Sequence, residues 1–525
     1  MIHSLPQLPI LLLILASLAM IVLRLLRPRF AYFWLVAGFG ALLGWTATFL
    51  LGENLSLYLP LTAWQPESLL PVSPALLVDG ISWAYALAIA TLVLAVILTD
   101  VARATEADWS TWSSSLVIGS LGLFAVLSGN ALTLLLAWAG LDLVELIILL
   151  NQVHESKMRE RVVLTYTARL AGILLLSGTT IYARARGVAM DLRAIPPEMS
   201  LYLLLASGLR LGILPLHAPF LHEPPVRRGL GTILRLVPTT ASLVLVTRTA
   251  QAGIPISWTP YLLLLAGIAG LFGSLAWANA ENELDGRPYW ILAGASLSIA
   301  SAVRGQAEAS LAFGVATILS GSLLFLSTTR HRRLLPLLWL GLLAFSTLPF
   351  TPSWPGVLLY APPLQPLLLV FLIVQAIMIA GYWFHSMQFH NRLGNVERWV
   401  WLIYPWGLFL LPASAFLYYW WSATHGAEIF PAMSASWPAA ASLLIAGLLS
   451  FLSRRGMEVP PGIRQKLYAF FSFGWLYRLL WELFQLFGRG LRLGNQVLEG
   501  EGGILWTFLL LALLLSLFVQ FGWGG

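Results

Sequence analysis

Apolar runs long enough to cross a bilayer as helices, about 17–25 residues each, recur from one end of the chain to the other. Sixteen are legible, at 6–26, 31–51, 76–98, 113–128, 130–151, 161–182, 199–217, 229–248, 260–278, 288–303, 309–327, 334–350, 363–384, 399–420, 434–453 and 503–522. The pattern predicts an all-α polytopic membrane protein of about 16 transmembrane helices. Between 454 and 502 it changes. There "KLYAFFSFGWLYRLLWELFQLFGRGLRLGNQVLEGEGG" mixes aromatic and aliphatic residues with charges at near-helical spacing. That mixture predicts an amphipathic segment lying in the membrane interface, with Arg478, Glu482 and Arg489 toward water. The first run, "LPQLPILLLILASLAMIVL", lacks a basic leader and a small-residue cleavage site, so it reads as a retained helix rather than a signal peptide.

Composition supports the membrane reading. With 58% hydrophobic and 10% charged residues in 525, too little polar surface exists to cover a soluble globule. There is no cysteine, which excludes disulfides, thiolate iron–sulfur ligation and cysteine-zinc sites. The net charge of +7 fits basic cytoplasmic loops better than a nucleic-acid partner. Most Lys and Arg fall in alternate loops, including "TRHRR" at 329–333 and the segment 454–502. This asymmetry predicts a multi-pass protein of the inner (cytoplasmic) membrane with both termini outside. Lysine occurs only at Lys157 and Lys466, so almost all basic charge is arginine.

The candidate chemistry lies where charge interrupts apolar runs. An ionisable residue inside a span is costly and by default faces the bundle interior. Asp142 and Glu145 sit in the fifth run, three residues apart and so on one helix face. Arg169 lies in the sixth run, Arg210 in the seventh and Arg235 in the eighth. Two acids and three bases on consecutive helices suit a line for ion movement; a purely structural ion-pair network is the alternative. Two proline interruptions echo each other: Pro215 in "LPLHAPF", followed by His217, and Pro349 and Pro352 in "LPFTPSWPG". Proline removes a backbone donor and frees an upstream carbonyl, tolerable in a membrane only beside protein or water. Matching broken helices are a signature of transporters built from repeats, and inert kinks are the alternative.

These stretches resemble the antiporter-like, proton-conducting membrane subunits of respiratory complex I and of multisubunit sodium/proton antiporters, closest to the distal complex I subunit type. "VDGISWAYAL" at 78–87 resembles the family's Asp-Gly-Leu-Ser opening of its third helix. "LLLAWAGLDLVELIILL" at 134–150 resembles the helix that bears its key glutamate. "RLGILPLH" at 210–217 resembles its Lys-Ser-Ala-Gln-x-Pro-Leu-His run, with arginine for lysine. "TARLAG" at 167–172 and "LDGRPYWILAGAS" at 284–296 are weaker echoes of the distal subunit type. The resemblance implies two inverted five-helix repeats, each with one broken helix. It divides the chain into N-terminal helices 1–3 (1–112), repeats at 113–250 and 251–385, helices 14–15 (386–453), the interfacial segment (454–502) and a last helix (503–525). The segment 454–502 is too short for a long lateral helix and contains Gly474, Gly488 and Gly490.

The departures from the family matter chemically. The family's glutamate position, after Trp138, is Ala139 here, with Asp142 about one turn on and Glu145 one turn further. Arg210 stands in the place of the lysine, and the family histidine falls near Gly231 or Leu234. A buried lysine can release a proton, whereas arginine stays protonated. Proton movement would therefore rest on Asp142, Glu145, His217, His222 and water, and the second repeat lacks a buried lysine altogether.

The chain has no redox chemistry of its own. It lacks cysteine, a nucleotide-binding glycine loop after a strand and a haem pair, so no cofactor is expected and energy must come from a partner. Three functions stay open: an ion-translocating subunit of a complex I-like assembly; a cation-conducting subunit of an inorganic-carbon uptake or Mrp-type antiporter complex; and a structural, non-conducting subunit. All three place other membrane subunits and the lipid bilayer around it. His385, His390 and His425 read as interfacial histidines rather than metal ligands, and the 23 tryptophans read as interfacial belts and helix packing.

Overall fold

A computed structural model describes residues 6–61, 72–103, 108–153, 155–216, 226–328, 332–388, 399–424 and 431–454, with scattered residues between 478 and 512. The described residues form fifteen α-helices in chain order: α1 (Leu8–Leu26), α2 (Phe33–Leu50), α3 (Gly80–Asp100), α4 (Trp109–Val126), α5 (Ala131–Gln152), α6 (Ser156–Ala185), α7 (Pro197–Leu211) and α8 (Arg228–Ala252). They continue with α9 (Thr259–Ala278), α10 (Glu283–Val303), α11 (Ala307–Leu326), α12 (Leu335–Phe345), α13 (Leu368–Met387), α14 (Val400–Thr424) and α15 (Trp437–Arg454). Each lies over one of the first fifteen apolar runs. The run at 503–522 falls almost wholly outside the described residues.

Twelve of these helices are long and apolar enough to cross a membrane, and the protein is a multi-pass, all-α membrane protein. The other three are the short α7 and α12, and α10, whose first turns carry Glu283, Asp285 and Arg287. One element was absent from the hydropathy pattern. Strands β1 (Leu57–Pro60) and β2 (Ala75–Val78) pair antiparallel, Leu57 opposite Val78, just before α3.

The chain divides into two compact units, Met1–Glu458 and Val459–Gly525. Within the second, the described residues Arg478, Glu482 and Arg489 are helical and exposed, as are Leu479, Leu483 and Leu486. Within the first, α3, α8 and α11 form the centre: at least 94% of each spanning window is buried, against 33% for α1 and 22% for α15. In a membrane the burying neighbours are other helices, so tight approach rather than hydrophobicity selects the contacts. Small residues mediate it. A Cβ on Gly122 (α4) would lie 2.2 Å from the Val237 side chain of α8, and one on Gly314 (α11) 2.2 Å from the Tyr85 hydroxyl of α3.

Local chemistry sets several helix starts. Asp79 caps α3, accepting from the Ser82 amide at 2.8 Å while the Ser82 hydroxyl receives the Asp79 amide, a reciprocal capping box. Asn130 caps α5 by accepting from the Thr133 amide at 2.9 Å.

Helices α7 and α12 both end earlier than hydropathy alone suggests. The seventh run extends to 217, but α7 stops at Leu211, because Gly212 turns left-handed (φ +77°) and the chain reverses so that Ile213 pairs with Leu216. Pro215 lies inside that reversal. The twelfth run extends to 350, but α12 stops at Phe345. Thr347 and Phe350 adopt positive φ, and Pro349, Pro352 and Pro355 feed a 3-10 helix at Trp354–Tyr360. Apolar residues continue through both breaks, which is why hydropathy runs past them.

Candidate functional site

The site begins on α5. Its buried face carries Trp138, Leu141, Asp142, Glu145 and Leu149, spaced by three and four residues, so both carboxylates point into the bundle. They are 2% and 3% exposed. Two neighbouring helices supply their counter-charges. Arg169 of α6 donates to the Glu145 carboxylate and lies 3.8 Å from Asp142. Arg210, in the last turn of α7, grips Asp142 with both terminal nitrogens, the Nη2 bond measuring 2.8 Å. Arg210 also places its guanidinium 4.3 Å from the Trp138 ring centroid and reaches toward the Ser242 hydroxyl of α8 at 3.4 Å.

The result is a continuous buried line, Glu145–Arg169–Asp142–Arg210, across α5, α6 and α7. Arg169 and Arg210 are 6% and 5% exposed, so the whole line is desolvated. Such a pair is weak evidence for stability, but removing one partner strands a charge at a cost of about 3–5 kcal/mol. Close helix approach makes the geometry possible. At Gly172 of α6, a Cβ would meet Arg210 Cγ at 2.6 Å and the Ala206 carbonyl oxygen at 2.7 Å.

Arg235 of α8 lies within Coulombic reach of Glu145 and joins Arg169 and Arg210 around a cavity of ≈ 40 Å³ open to water-sized molecules. The cavity wall is completed by Leu211, Pro238, Thr239 and Ser242, and by Pro288 to Leu292 of α10. The structure thus brings together five of the six sequence-derived ion-path residues, Asp142, Glu145, Arg169, Arg210 and Arg235. The sixth, His217, lies outside the described residues, as do His222, His390 and His425. Pro215 lies in the reversal after α7, and Pro349 and Pro352 lie between α12 and the 3-10 helix at Trp354–Tyr360.

Hydropathy missed three further charge pairings or placements. Arg228 of α8 pairs with Glu283 of α10 at 2.7 Å and donates to the Phe325 and Ser327 carbonyls at 3.1 Å. Arg287, expected just outside a run starting at 288, is 2% exposed because α10 starts at Glu283; it donates to the Thr232 hydroxyl at 2.8 Å. Arg248, at the end of the eighth run, forms a two-nitrogen grip on Asp79 at 2.8 and 3.1 Å. Burial pushes the Asp79 carboxyl up, but the Arg248 charge and the donors from Ser82 outweigh it and hold it below its ordinary value. The only signal in the sequence was a charge near a span edge, which also describes an ordinary loop. His385 corrects its interfacial reading: it is fully buried, its Nε2 3.0 Å from the Trp277 carbonyl oxygen and its ring 4.3 Å from the Trp277 ring. Among the described residues no group of three or more His, Asp and Glu is placed to hold a metal ion.

No protein-family model and no curated protein sequence matches the chain. Solved structures do. A chain of the Mrp complex from Dietzia sp. DQ12-45-1b superposes with a TM-score of 0.71 at 14% identity, over 98% of this chain and 63% of that one. A chain of the membrane-bound sulfane sulfur reductase, an archaeal respiratory membrane complex, superposes with a TM-score of 0.67 at 14% identity, over 98% and 99%. A chain of respiratory complex I from Thermus thermophilus reaches 0.63 at 20% identity, over 86% and 100%. The chain therefore shares its fold with a chain of each of these complexes. This chain spans 63% of the length of the Mrp chain it matches.

Proposed function

We propose that this chain is an ion-translocating membrane subunit of a multisubunit, complex I-like assembly, in which Asp142 and Glu145 carry the proton and Arg169, Arg210 and Arg235 are fixed counter-charges. The observation that carries this reading is the buried Glu145–Arg169–Asp142–Arg210 line beside the broken end of α7 and a water-sized cavity. Arginine does not deprotonate in a protein, so the titratable elements must be the carboxylates. Arg169 touches Glu145 and stands 3.8 Å from Asp142. Protonating Glu145 would release Arg169 toward Asp142, and protonating Asp142 would free Arg210. A proton's position is thereby exchanged for a guanidinium's, with no base required among the cations.

The same reading takes α4–α8 and α9–α13 as inverted repeats, supported by the broken α7 and α12 each being fourth of its five. It adds a sixteenth helix after the interfacial segment, keeps the domain boundaries given above, and sets both termini outside the inner membrane. The first half works in altered form; the second, which holds Arg287 and Glu283 (paired with Arg228 of α8) but no lysine, is degenerate. A second reading, a cation-conducting subunit of an Mrp-type complex, is favoured by the 0.71 TM-score to a chain of the Dietzia Mrp complex. The scarcity of lysine, at Lys157 and Lys466 only, favours a non-conducting structural subunit. Proton uptake by the assembled complex in liposomes separates these. Asp142→Asn should lower pumping by roughly tenfold or more, since an intramembrane carboxylate in a proton relay has no substitute. An assembled Asp142→Asn complex that pumps at the wild-type rate overturns the proposal.

A further inference from the structure

The turn between α1 and α2 gathers positive charge without acids of its own. Arg24 in the last turn of α1, with Arg27 and Arg29 in the loop, puts three arginines within six residues, all exposed. The first acidic residue of the chain, Glu53, lies beyond the far end of α2. Among the described residues none of the three arginines forms an ion pair. Asp108, just before α4, keeps its carboxylate on the Trp109 amide and the Ser110 hydroxyl. Arg24 donates to the Pro28 carbonyl, which folds it against the loop, and residues 27–32 line a recess of ≈ 630 Å³. Beside the recess runs an aromatic row, Tyr32–Phe30–Phe33–Trp109, with successive ring centroids 5.9, 5.3 and 6.4 Å apart. Two apolar strips lead away from the turn. Leu25, Val22 and Leu18 of α1, and Leu35, Phe39 and Leu42 of α2, are 48–77% exposed. Their three- and four-residue spacing puts each strip on one helix face.

We infer that the α1–α2 turn binds an anionic phospholipid, the arginines holding its phosphate and the two strips its acyl chains. The planar guanidinium fork matches a phosphate bidentately, and basic residues at the end of a membrane helix draw anionic lipid. The aromatic row lies beside the arginines, as such rings do at the headgroup level. Charge, rings and apolar strips therefore follow one another in the order headgroup, interface and chain. A soluble anion would use the arginines but gain nothing from the strips. The inference rests neither on ion conduction nor on which side of the membrane the turn faces.

Thermal unfolding of the full chain in neutral detergent tests it, with phosphatidylglycerol titrated against phosphatidylcholine of the same acyl chains. A ligand that binds only the native state raises Tm saturably. The expected result is a saturable rise with phosphatidylglycerol and a much smaller one with phosphatidylcholine. In the double variant Arg27→Gln, Arg29→Gln the half-saturating phosphatidylglycerol concentration should rise roughly thirtyfold. Removing the same charge elsewhere, with Arg184→Gln and Arg186→Gln at the end of α6, should leave it unchanged. Should the first variant fail to fold, native mass spectrometry of the wild-type chain reads the same site: a phosphatidylglycerol retained where phosphatidylcholine is stripped supports it. Equal rises with the two lipids, or an unchanged half-saturation in the Arg27, Arg29 variant, overturn it. Equal losses in the two double variants also overturn it, since they would reflect overall charge alone. The same rise with glycerol 3-phosphate would assign the turn to a soluble anion, and cross-linking of Ala31→Cys to a companion subunit in the purified complex would assign it to protein; either result overturns the inference.

Discussion

Arg210 meets three demands that a lysine could not meet together. It grips Asp142 with two nitrogens, lays its plane near Trp138 at 4.3 Å and turns its Nε toward Ser242. A desolvated cation–aromatic contact of this kind is worth about 2 kcal/mol, and the planar fork is what allows all three contacts. The cost is chemical: the group no longer releases a proton. Asp79 shows the opposite behaviour, a carboxylate that still titrates but is held ionised by Arg248 and by its own capping box. Its folded-state carboxyl lies below the ordinary 3.8. Stability from this pair is therefore complete above that value and is lost as pH falls through the depressed folded one. Thermal unfolding of the solubilised chain should show a loss of Tm below about pH 4 that is smaller in Asp79→Asn. Identical acid profiles for the two proteins would show that the pair contributes no linkage.

Helix α6 carries its own internal control. At Gly172 a Cβ would press on the Ala206 carbonyl oxygen at 2.7 Å, backbone that cannot rotate away, whereas at Gly178 nothing lies within 4 Å. Gly172→Ala should push α6 from α7, pull Arg169 and Arg210 out of register with α5, and cost about 1–3 kcal/mol of overpacking. Gly178→Ala on the same helix should be neutral, or more stable by up to about 1 kcal/mol. Detergent unfolding curves compare the two directly, and equal effects would mean that the close approach of α6 to α7 is not structural. The two broken helices make a related point. Gly212 just after α7 needs a positive φ, and Thr347 and Phe350 after α12 adopt one without being glycine. Non-glycine residues there carry a backbone cost that surrounding contacts must offset, as the Ser353 hydroxyl does by accepting from the Thr347 amide at 2.8 Å.

For the whole molecule, the proposed function implies companions. The neighbours in structure are chains of multisubunit membrane complexes. The tagged chain, purified in mild detergent, is expected to bring other membrane subunits with it, identified by mass spectrometry. Recovery of redox-bearing and further antiporter-like subunits would support the complex I-like assembly. A set without redox subunits would favour the Mrp-type reading, and a solitary chain would sink both.

Helix positions were legible in the sequence because the cost of placing a residue in a bilayer is a local sum, taken window by window. The charges within helices were legible for the same reason: Asp142, Glu145, Arg169, Arg210 and Arg235 stand out against apolar surroundings whatever they touch. Their partners were not legible. Arg169 pairs with a residue 24 positions away, Arg210 with one 68 away and Arg248 with one 169 away. Which guanidinium meets which carboxylate depends on the rotation and separation of packed helices, and glycines such as Gly172 set these through contacts that hydropathy does not register. Sequence alone therefore determined the membrane class, the helix order and the set of charges that must be hidden. Tertiary structure decided where α7 and α12 stop, that Arg287 and His385 are buried, and that three arginines share one cavity. Burial cost is additive along a chain, whereas pairing exists only once the helices have met.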